Sequence, residues 1–86
     1  MNEPNADAIR QTVVDVIASI APEADLTRVD AKRSLREQLD LDSFDFLNLM
    51  IELHARLGID VPEADYGKVD SLHRLLAYLA QHHAGP

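Results

Sequence analysis

Hydrophobic side chains recur along this chain every three or four residues rather than every second residue, a spacing typical of helices and not of strands. The spacing is clear over residues 6–20, and Pro22 prevents much continuation of a helix beyond them. It returns over residues 43–57, which Gly58 brings to an end, and again in the leucine-rich segment 71–82. These segments predict three amphipathic helices.

Two shorter elements are predicted in the connections. Leu35 and Leu39 lie four residues apart in the long segment between the first and second helices, which predicts one turn that attaches this loop to the core. A short third helix is predicted at residues 62–66, because proline is suited to its first position and Gly67 ends it early. The predicted fold is therefore all-α, a four-helix bundle of three longer helices and one short one, forming a single domain over residues 1–86.

The second helix has the clearest start signal. Asp42 is suited to cap it, and Asp45 can complete a capping box while its charge favours the positive end of the helix dipole. Ser43 lies between them, where the long loop ends, so we expect its hydroxyl to be exposed on a rigid element. On the local sequence alone, the simpler interpretation is that Ser43 only begins the helix and shares the capping with Asp42.

The second helix is apolar over more of its surface than a core requires. Its polar positions form one narrow stripe of Asp45, Asn48, Glu52 and Arg56. The positions predicted to face the core are Phe46, Met50, Leu53 and Leu57. A further group, here called the apolar row, flanks the stripe and consists of Phe44, Leu47, Ile51 and Ala55. The apolar row either packs on the long loop or the third helix or binds a partner, and periodicity alone does not separate these interpretations.

The composition argues against an enzyme. A chain of 86 residues has little room for a buried active-site cleft with its own supporting residues. There is no cysteine, hence no thiol nucleophile and no thiolate metal site, and the histidines lack the spacing of metal ligands. Neither a glycine-rich phosphate loop nor an HExxH motif is present. We therefore predict no catalytic residues and no metal site.

The charge balance indicates the kind of partner. The 15 acidic residues against 8 basic ones leave a net charge of −7, which repels nucleic acid and anionic lipid and favours basic protein surfaces. No segment approaches the length of a membrane span, and the N-terminal residues do not resemble a secretion signal. We expect a cytoplasmic monomer that works as a separate protein.

Three stretches in a fixed order resemble the acyl carrier protein family. They are SLREQLDLDSF before the second helix, DFLNLMIELHARLGIDVPE along and after it, and VDSLHRLLAYL in the last helix. With the periodic first helix, the resemblance covers about residues 5–82. It implies the four-helix fold of acyl carriers and a protein that holds acyl intermediates as thioesters and delivers them to other enzymes, as in fatty acid biosynthesis and lipid metabolism.

The resemblance also implies functional residues. Ser43 matches the serine that a phosphopantetheinyl transferase modifies with 4′-phosphopantetheine from coenzyme A, and Asp42 matches the aspartate that helps to hold Mg²⁺ in the transferase complex. The arm would bring the thiol that this cysteine-free chain lacks. The expected partners are acyl-transfer, condensing or acyl-activating enzymes with basic docking surfaces. Contacts to them are expected from Phe44, Asp45, Leu47, Ile51 and Glu52.

Three departures from the family pattern favour a specialised carrier outside housekeeping fatty acid synthesis. Asp40 stands where many carriers have glycine, which removes conformational freedom from the loop. Asn48, His54 and Ala55 stand where housekeeping carriers commonly have glutamate, which makes this surface less acidic and more apolar. Phe46 stands where a smaller residue is usual and, if it points inward, takes up volume that could shelter an acyl chain.

Two alternatives remain open at this point. An aminoacyl or peptidyl carrier shares the four-helix pattern and the modified serine, and differs in a cargo that the pattern does not encode. An unmodified helical adaptor would instead use the apolar row to bind one fixed partner, with Ser43 only starting a helix.

Overall fold

The computed structural model describes residues 6–82, and within this range the chain is all-α, as predicted. Its α-helices are α1 (Ala6–Ile20), α2 (Leu35–Leu39), α3 (Ser43–Leu57) and α4 (Leu72–His82). Short 3₁₀ helices lie at Leu26–Arg28 and Glu63–Lys68. None of the helices in this range has the length and apolar character needed to cross a membrane. The single domain predicted for residues 1–86 extends at both ends beyond the described residues.

The predicted boundaries agree with the structure for the long helices and not for the short third one. Helices α1 and α3 occupy the predicted ranges, and α4 begins one residue later than expected. The third helix predicted at 62–66 is instead a 3₁₀ helix that continues through Gly67. The expectation that Gly67 ends this helix is wrong. Glycine ends a helix where its backbone adopts the left-handed conformation. Gly58 does so with a φ of 70°, whereas the φ of Gly67 is not positive.

Helices α1, α3 and α4 pack around a core of leucine, isoleucine and valine side chains. Its fully buried members on these helices include Val13, Val16, Leu49, Leu53, Leu75 and Leu79. Phe46 and Met50 also face this core, as predicted, whereas Leu57 is only half-buried. Leu49 was not assigned to the core from the sequence. Because burial of each leucine contributes about 1.5–3 kcal/mol, this face fixes the position of α3.

The long connection between α1 and α3 is held by hydrogen bonds as well as by burial. Leu35 is fully buried, and its N–H donates to the carbonyl oxygen of Asp70 at 2.8 Å. Gln38 Nε2 donates to the carbonyl oxygens of Asp30 and Arg33 at 2.8 and 3.1 Å, and its Oε1 accepts from the Asp30 N–H at 2.8 Å. The predicted turn around Leu35 is therefore present as α2, and it forms a rigid support immediately before α3.

The 3₁₀ helix at Glu63–Lys68 is tied to α4 by a hydrogen bond between a tyrosine and a carboxylate. Tyr78 Oη donates to Asp65 Oδ2 at 2.7 Å, and Lys68 Nζ lies 3.4 Å from Asp65 Oδ1. The hydrogen bond from Tyr78 lowers the pKa of Asp65, and the same bond raises the pKa of Tyr78. This anchor holds in place the segment that carries Tyr66, whose ring packs against the core.

Asp40 has a left-handed backbone at the C-terminal end of α2, with φ 54° and ψ 46°. This conformation lets the N–H groups of Asp40 and Leu41 both donate to the carbonyl oxygen of Arg36. A residue with a Cβ atom is strained here by about 1–2 kcal/mol, and aspartate by less because of its short polar side chain. The position at which the resemblance implies glycine is therefore one where the backbone adopts a conformation that glycine tolerates without strain.

We expect Asp40→Gly to raise the free energy of unfolding by about 0.5–1 kcal/mol, because glycine adopts the left-handed conformation without a steric cost. Urea denaturation followed by circular dichroism measures the change. Asp60→Gly is the matched control, since it removes the same charge from an exposed position without a positive φ, and we expect it to lower stability. Equal changes in both variants would show that Asp40 is not strained.

Candidate functional site

Helix α3 begins with a complete capping box. The Asp45 N–H donates to Asp42 Oδ1 at 2.8 Å, and the Asp42 N–H donates to Asp45 Oδ2 at 3.3 Å. These reciprocal bonds satisfy backbone groups that the helix itself leaves without partners. Ser43 occupies the first helical position, is exposed, and takes no part in the cap. Its hydroxyl therefore does not share the capping with Asp42.

Arg36 lies beside the Ser43 hydroxyl and was not identified from the sequence. Its Nη2 donates to Ser43 Oγ at 3.3 Å, and its guanidinium carbon lies 5.5 Å from the centre of the Phe46 ring, in reach of a cation–π interaction. The short helix α2 brings Arg36 to this place. A sequence signal was available, because no other lysine or arginine occurs between Arg36 and Arg56.

A cavity of about 300 Å³ opens beside Ser43, between the start of α3 and the 3₁₀ helix at Glu63–Lys68. Its lining residues are Arg36, Ser43, Phe44, Phe46, Leu47, Glu63 and Tyr66. Phe46 is buried, and its ring meets that of Tyr66 edge to face, with centroids 5.4 Å apart and planes at 74°. Phe46 therefore points inward, and the two aromatic rings form part of the cavity wall next to the serine.

The apolar row is exposed. The exposed fractions are 75% for Phe44, 40% for Leu47 and 54% for Ile51, and Ala55 is exposed as well. The row is therefore not buried against the long loop or against the 3₁₀ helix at Glu63–Lys68, which were the alternatives to a partner surface. Phe44 and Leu47 also border the cavity beside Ser43, so the row begins at the serine and continues along α3. Contiguous exposed apolar side chains of this kind mark protein contact surfaces.

The two acids predicted to contact partners, Asp45 and Glu52, differ in the groups that their carboxylates contact. Asp45 is half-buried, its carboxylate is engaged in the capping box, and it borders a second, larger groove of about 680 Å³ that Ser43 does not line. Glu52 is also half-buried, and its Oε1 lies 4.0 Å from Arg56 Nη2. Of these two acids, Glu52 is the one whose carboxylate accepts no hydrogen bond from a backbone group within residues 6–82.

Comparison with known proteins decides the family. A family model described as the phosphopantetheine attachment site matches residues 11–79, a range that contains Ser43. The acyl carrier protein of Campylobacter hominis is 30% identical over 73 residues, covering 85% of this chain and 86% of the relative. The chain belongs to the acyl carrier protein family.

Other members match over similar lengths. The acyl carrier protein of Rubrobacter xylanophilus is 26% identical over 76 residues, covering 85% of this chain and 94% of the relative. That of Brachyspira hyodysenteriae is 27% identical over 75 residues, covering 87% and 96%. The protein is therefore an acyl carrier that bears phosphopantetheine and serves partner enzymes, rather than a catalyst. The family and the cofactor expected from the sequence are confirmed.

We expect Ile51→Glu to change the free energy of unfolding by less than about 0.5 kcal/mol, because the side chain is more than half exposed. Met50→Glu is the matched control at the neighbouring position, which is buried, and a carboxylate there should cost several kcal/mol or prevent folding. Urea denaturation of both variants measures the difference. Similar losses in both would mean that the apolar row belongs to the core.

Proposed function

We propose that Ser43 is the residue that carries 4′-phosphopantetheine, and that a phosphopantetheinyl transferase attaches it from coenzyme A. The observation that carries this proposal is the position of the hydroxyl, exposed on the first turn of α3 and outside the cap. Ser34 and Ser71 also precede helices, but their hydroxyls accept hydrogen bonds from the Glu37 and Arg74 N–H groups and so serve as caps. Ser43 is thus the helix-start serine whose hydroxyl is available for modification.

The surroundings of Ser43 suit a phosphodiester. The first turn of a helix presents N–H groups that its own carbonyls do not satisfy, and the helix dipole favours an anion there. Arg36 adds a positive charge beside Oγ. Asp42 opposes the charge of the phosphate, but it is exposed and uses Oδ1 for the cap, which leaves Oδ2 accessible to Mg²⁺ in the transferase complex.

The attached arm supplies a thiol for thioester formation, which a chain without cysteine cannot provide itself. The protein's own residues present the attachment point. The capping box and the buried face of α3 hold Ser43 at the end of a rigid helix, and the hydroxyl lies outside the core. Delivery to successive enzymes then requires a surface that binds and releases quickly.

The apolar row and Glu52 form the surface that we propose for partner enzymes. Phe44 and Leu47 lie next to the attachment serine, and Ile51 continues the surface one turn along α3. The complementary partner is an acyl-transfer, condensing or acyl-activating enzyme with an apolar patch and basic residues around it. The net charge of −7 speeds encounter with such a surface and disfavours association with a second copy, so we propose a monomer. We also propose that it acts in the cytoplasm.

Features of α3 support a specialised carrier rather than one of housekeeping fatty acid synthesis. Asn48, His54 and Ala55 are all exposed, so this helix presents a surface that is less acidic and more apolar than the family pattern implies. The rings of Phe46 and Tyr66 pack edge to face in the wall of the cavity beside Ser43, where a smaller residue at position 46 would leave more room for an acyl chain. The curated relatives are acyl carrier proteins, which supports an acyl rather than an aminoacyl or peptidyl cargo.

We expect Ser43→Ala to abolish modification while leaving the helix content nearly unchanged, because the cap of α3 does not use the serine. Coexpression with a broad-specificity phosphopantetheinyl transferase, followed by intact-protein mass spectrometry, measures the gain of one phosphopantetheine group. Ser19→Ala, at another exposed serine, is the control and should be modified like the native chain. A native chain that gains no mass would support an unmodified helical adaptor instead.

We expect Ile51→Glu to raise the KM of the transferase for this carrier about tenfold with little change in kcat, because the substitution removes apolar contact from the docking surface without touching Ser43. Ala77→Glu adds the same charge at an exposed position of α4 and should leave KM nearly unchanged. Steady-state kinetics with coenzyme A in excess measures both. Equal KM values for the two variants would place the docking surface elsewhere.

A further inference from the structure

We infer that Arg36 is the built-in counterion of the phosphodiester on Ser43 and fixes the base of the arm against α2, an inference that rests on Ser43 being the attachment residue. Arg36 Nη2 already donates to Ser43 Oγ at 3.3 Å. Modification makes this oxygen the bridging oxygen of a phosphodiester, so the charged phosphate oxygens are separated from it by a single phosphorus atom. A guanidinium suits them, because its planar set of donors pairs with two oxygens at once.

The guanidinium is positioned before any phosphate is attached. It lies over the Phe46 ring, 5.5 Å from the centroid, and that ring is buried and braced by Tyr66. Arginine stacks on an aromatic face while keeping its N–H donors in the plane of the guanidinium. The backbone of α2 is also fixed, by the buried Leu35. Little side-chain freedom is therefore lost when Arg36 pairs with an anion.

The charge of Arg36 is also available. From residue 34 to residue 55 it is the one lysine or arginine, and the same stretch contains the carboxylates of Glu37, Asp40, Asp42, Asp45 and Glu52. Arg36 nevertheless forms no ion pair within residues 6–82. By contrast, Arg28, Arg56, Lys68 and Arg74 each pair with a carboxylate three or four residues away. Arg36 contacts a hydroxyl and a ring instead, which directs its charge to the attachment point.

Attachment of the arm to Ser43 therefore adds a negative charge at a place where the positive charge of Arg36 compensates it. Without Arg36, the phosphodiester would meet the carboxylate of Asp42 with only backbone N–H groups and the helix dipole opposing the repulsion. With Arg36, the phosphate end of the arm is held between α2 and the first turn of α3, on the wall of the cavity that Arg36 and Ser43 both line. The distal part of the arm remains free to reach partner enzymes.

The experiment compares the apo and loaded forms of the full chain, with loading at Ser43 verified first by mass spectrometry. In ¹⁵N–¹H spectra of arginine side chains, we expect loading to shift the Nε–H resonance of Arg36 and slow its solvent exchange, and to leave Arg33 unaffected. Arg33 is the matched residue, because it is exposed on the same loop and its side chain makes no hydrogen bond or ion pair in the part of the chain that the structure describes.

Thermal unfolding of Arg36→Gln and Arg33→Gln supplies the second readout. The quantity compared is the Tm of the loaded form minus the Tm of the apo form. We expect it to be about 2–4 °C lower in Arg36→Gln than in the native chain, and the same in Arg33→Gln as in the native chain. The difference should shrink at high salt, since an exposed ion pair is screened. A loaded native chain whose Arg36 resonance does not respond, or equal Tm effects in the two variants, would overturn the counterion role alone. Absence of loading would overturn the attachment at Ser43 itself.

Discussion

The hydrogen bonds that cap α3 determine where this helix begins, and the rest of the site depends on that starting point. Asp42 and Asp45 each accept a hydrogen bond from the other's backbone N–H. With the start fixed at residue 43, the serine lies on the first turn, Phe46 reaches the core, and Phe44 faces outward. One local interaction therefore connects the packing of the bundle to the presentation of Ser43, the proposed attachment point.

The connection before α3 has to meet two requirements that conflict. It must hold α2 firmly, which it does through the buried Leu35 and the hydrogen bonds of Gln38. It must also turn sharply into α3, which places Asp40 in a left-handed conformation. Retaining a residue with a Cβ atom there sacrifices some stability, but it restricts the backbone more than glycine would. The segment that joins α2 to Ser43 is therefore short and stiff.

The net charge of the whole carrier and the charges close to Ser43 have different effects. Over the whole molecule the excess of carboxylates favours encounter with a basic surface such as the one proposed for partner enzymes. At Ser43, the proposed attachment residue, the same excess would repel a phosphodiester. Arg36 lies over the ring of Phe46 and places one positive charge beside Ser43, while the net charge of the protein stays negative. In the proposed function, contact with a partner enzyme depends on the apolar row, since charge sets the rate of encounter more than the affinity.

The sequence by itself determined the features that depend on neighbours three or four residues apart. These are the long helices, the capping box around Ser43 and most of the division of α3 into core, stripe and apolar row, because backbone geometry sets which side chains share a face. The buried Leu49 was missed, and Leu57 is only half-buried. Only the tertiary structure decided that the apolar row is exposed and that the backbone continues through Gly67 without the left-handed turn that would end the helix. It alone also brought Arg36 to Ser43, seven residues away. Exposure and contacts of this kind depend on what distant segments pack against or leave uncovered, and local periodicity carries no information about that.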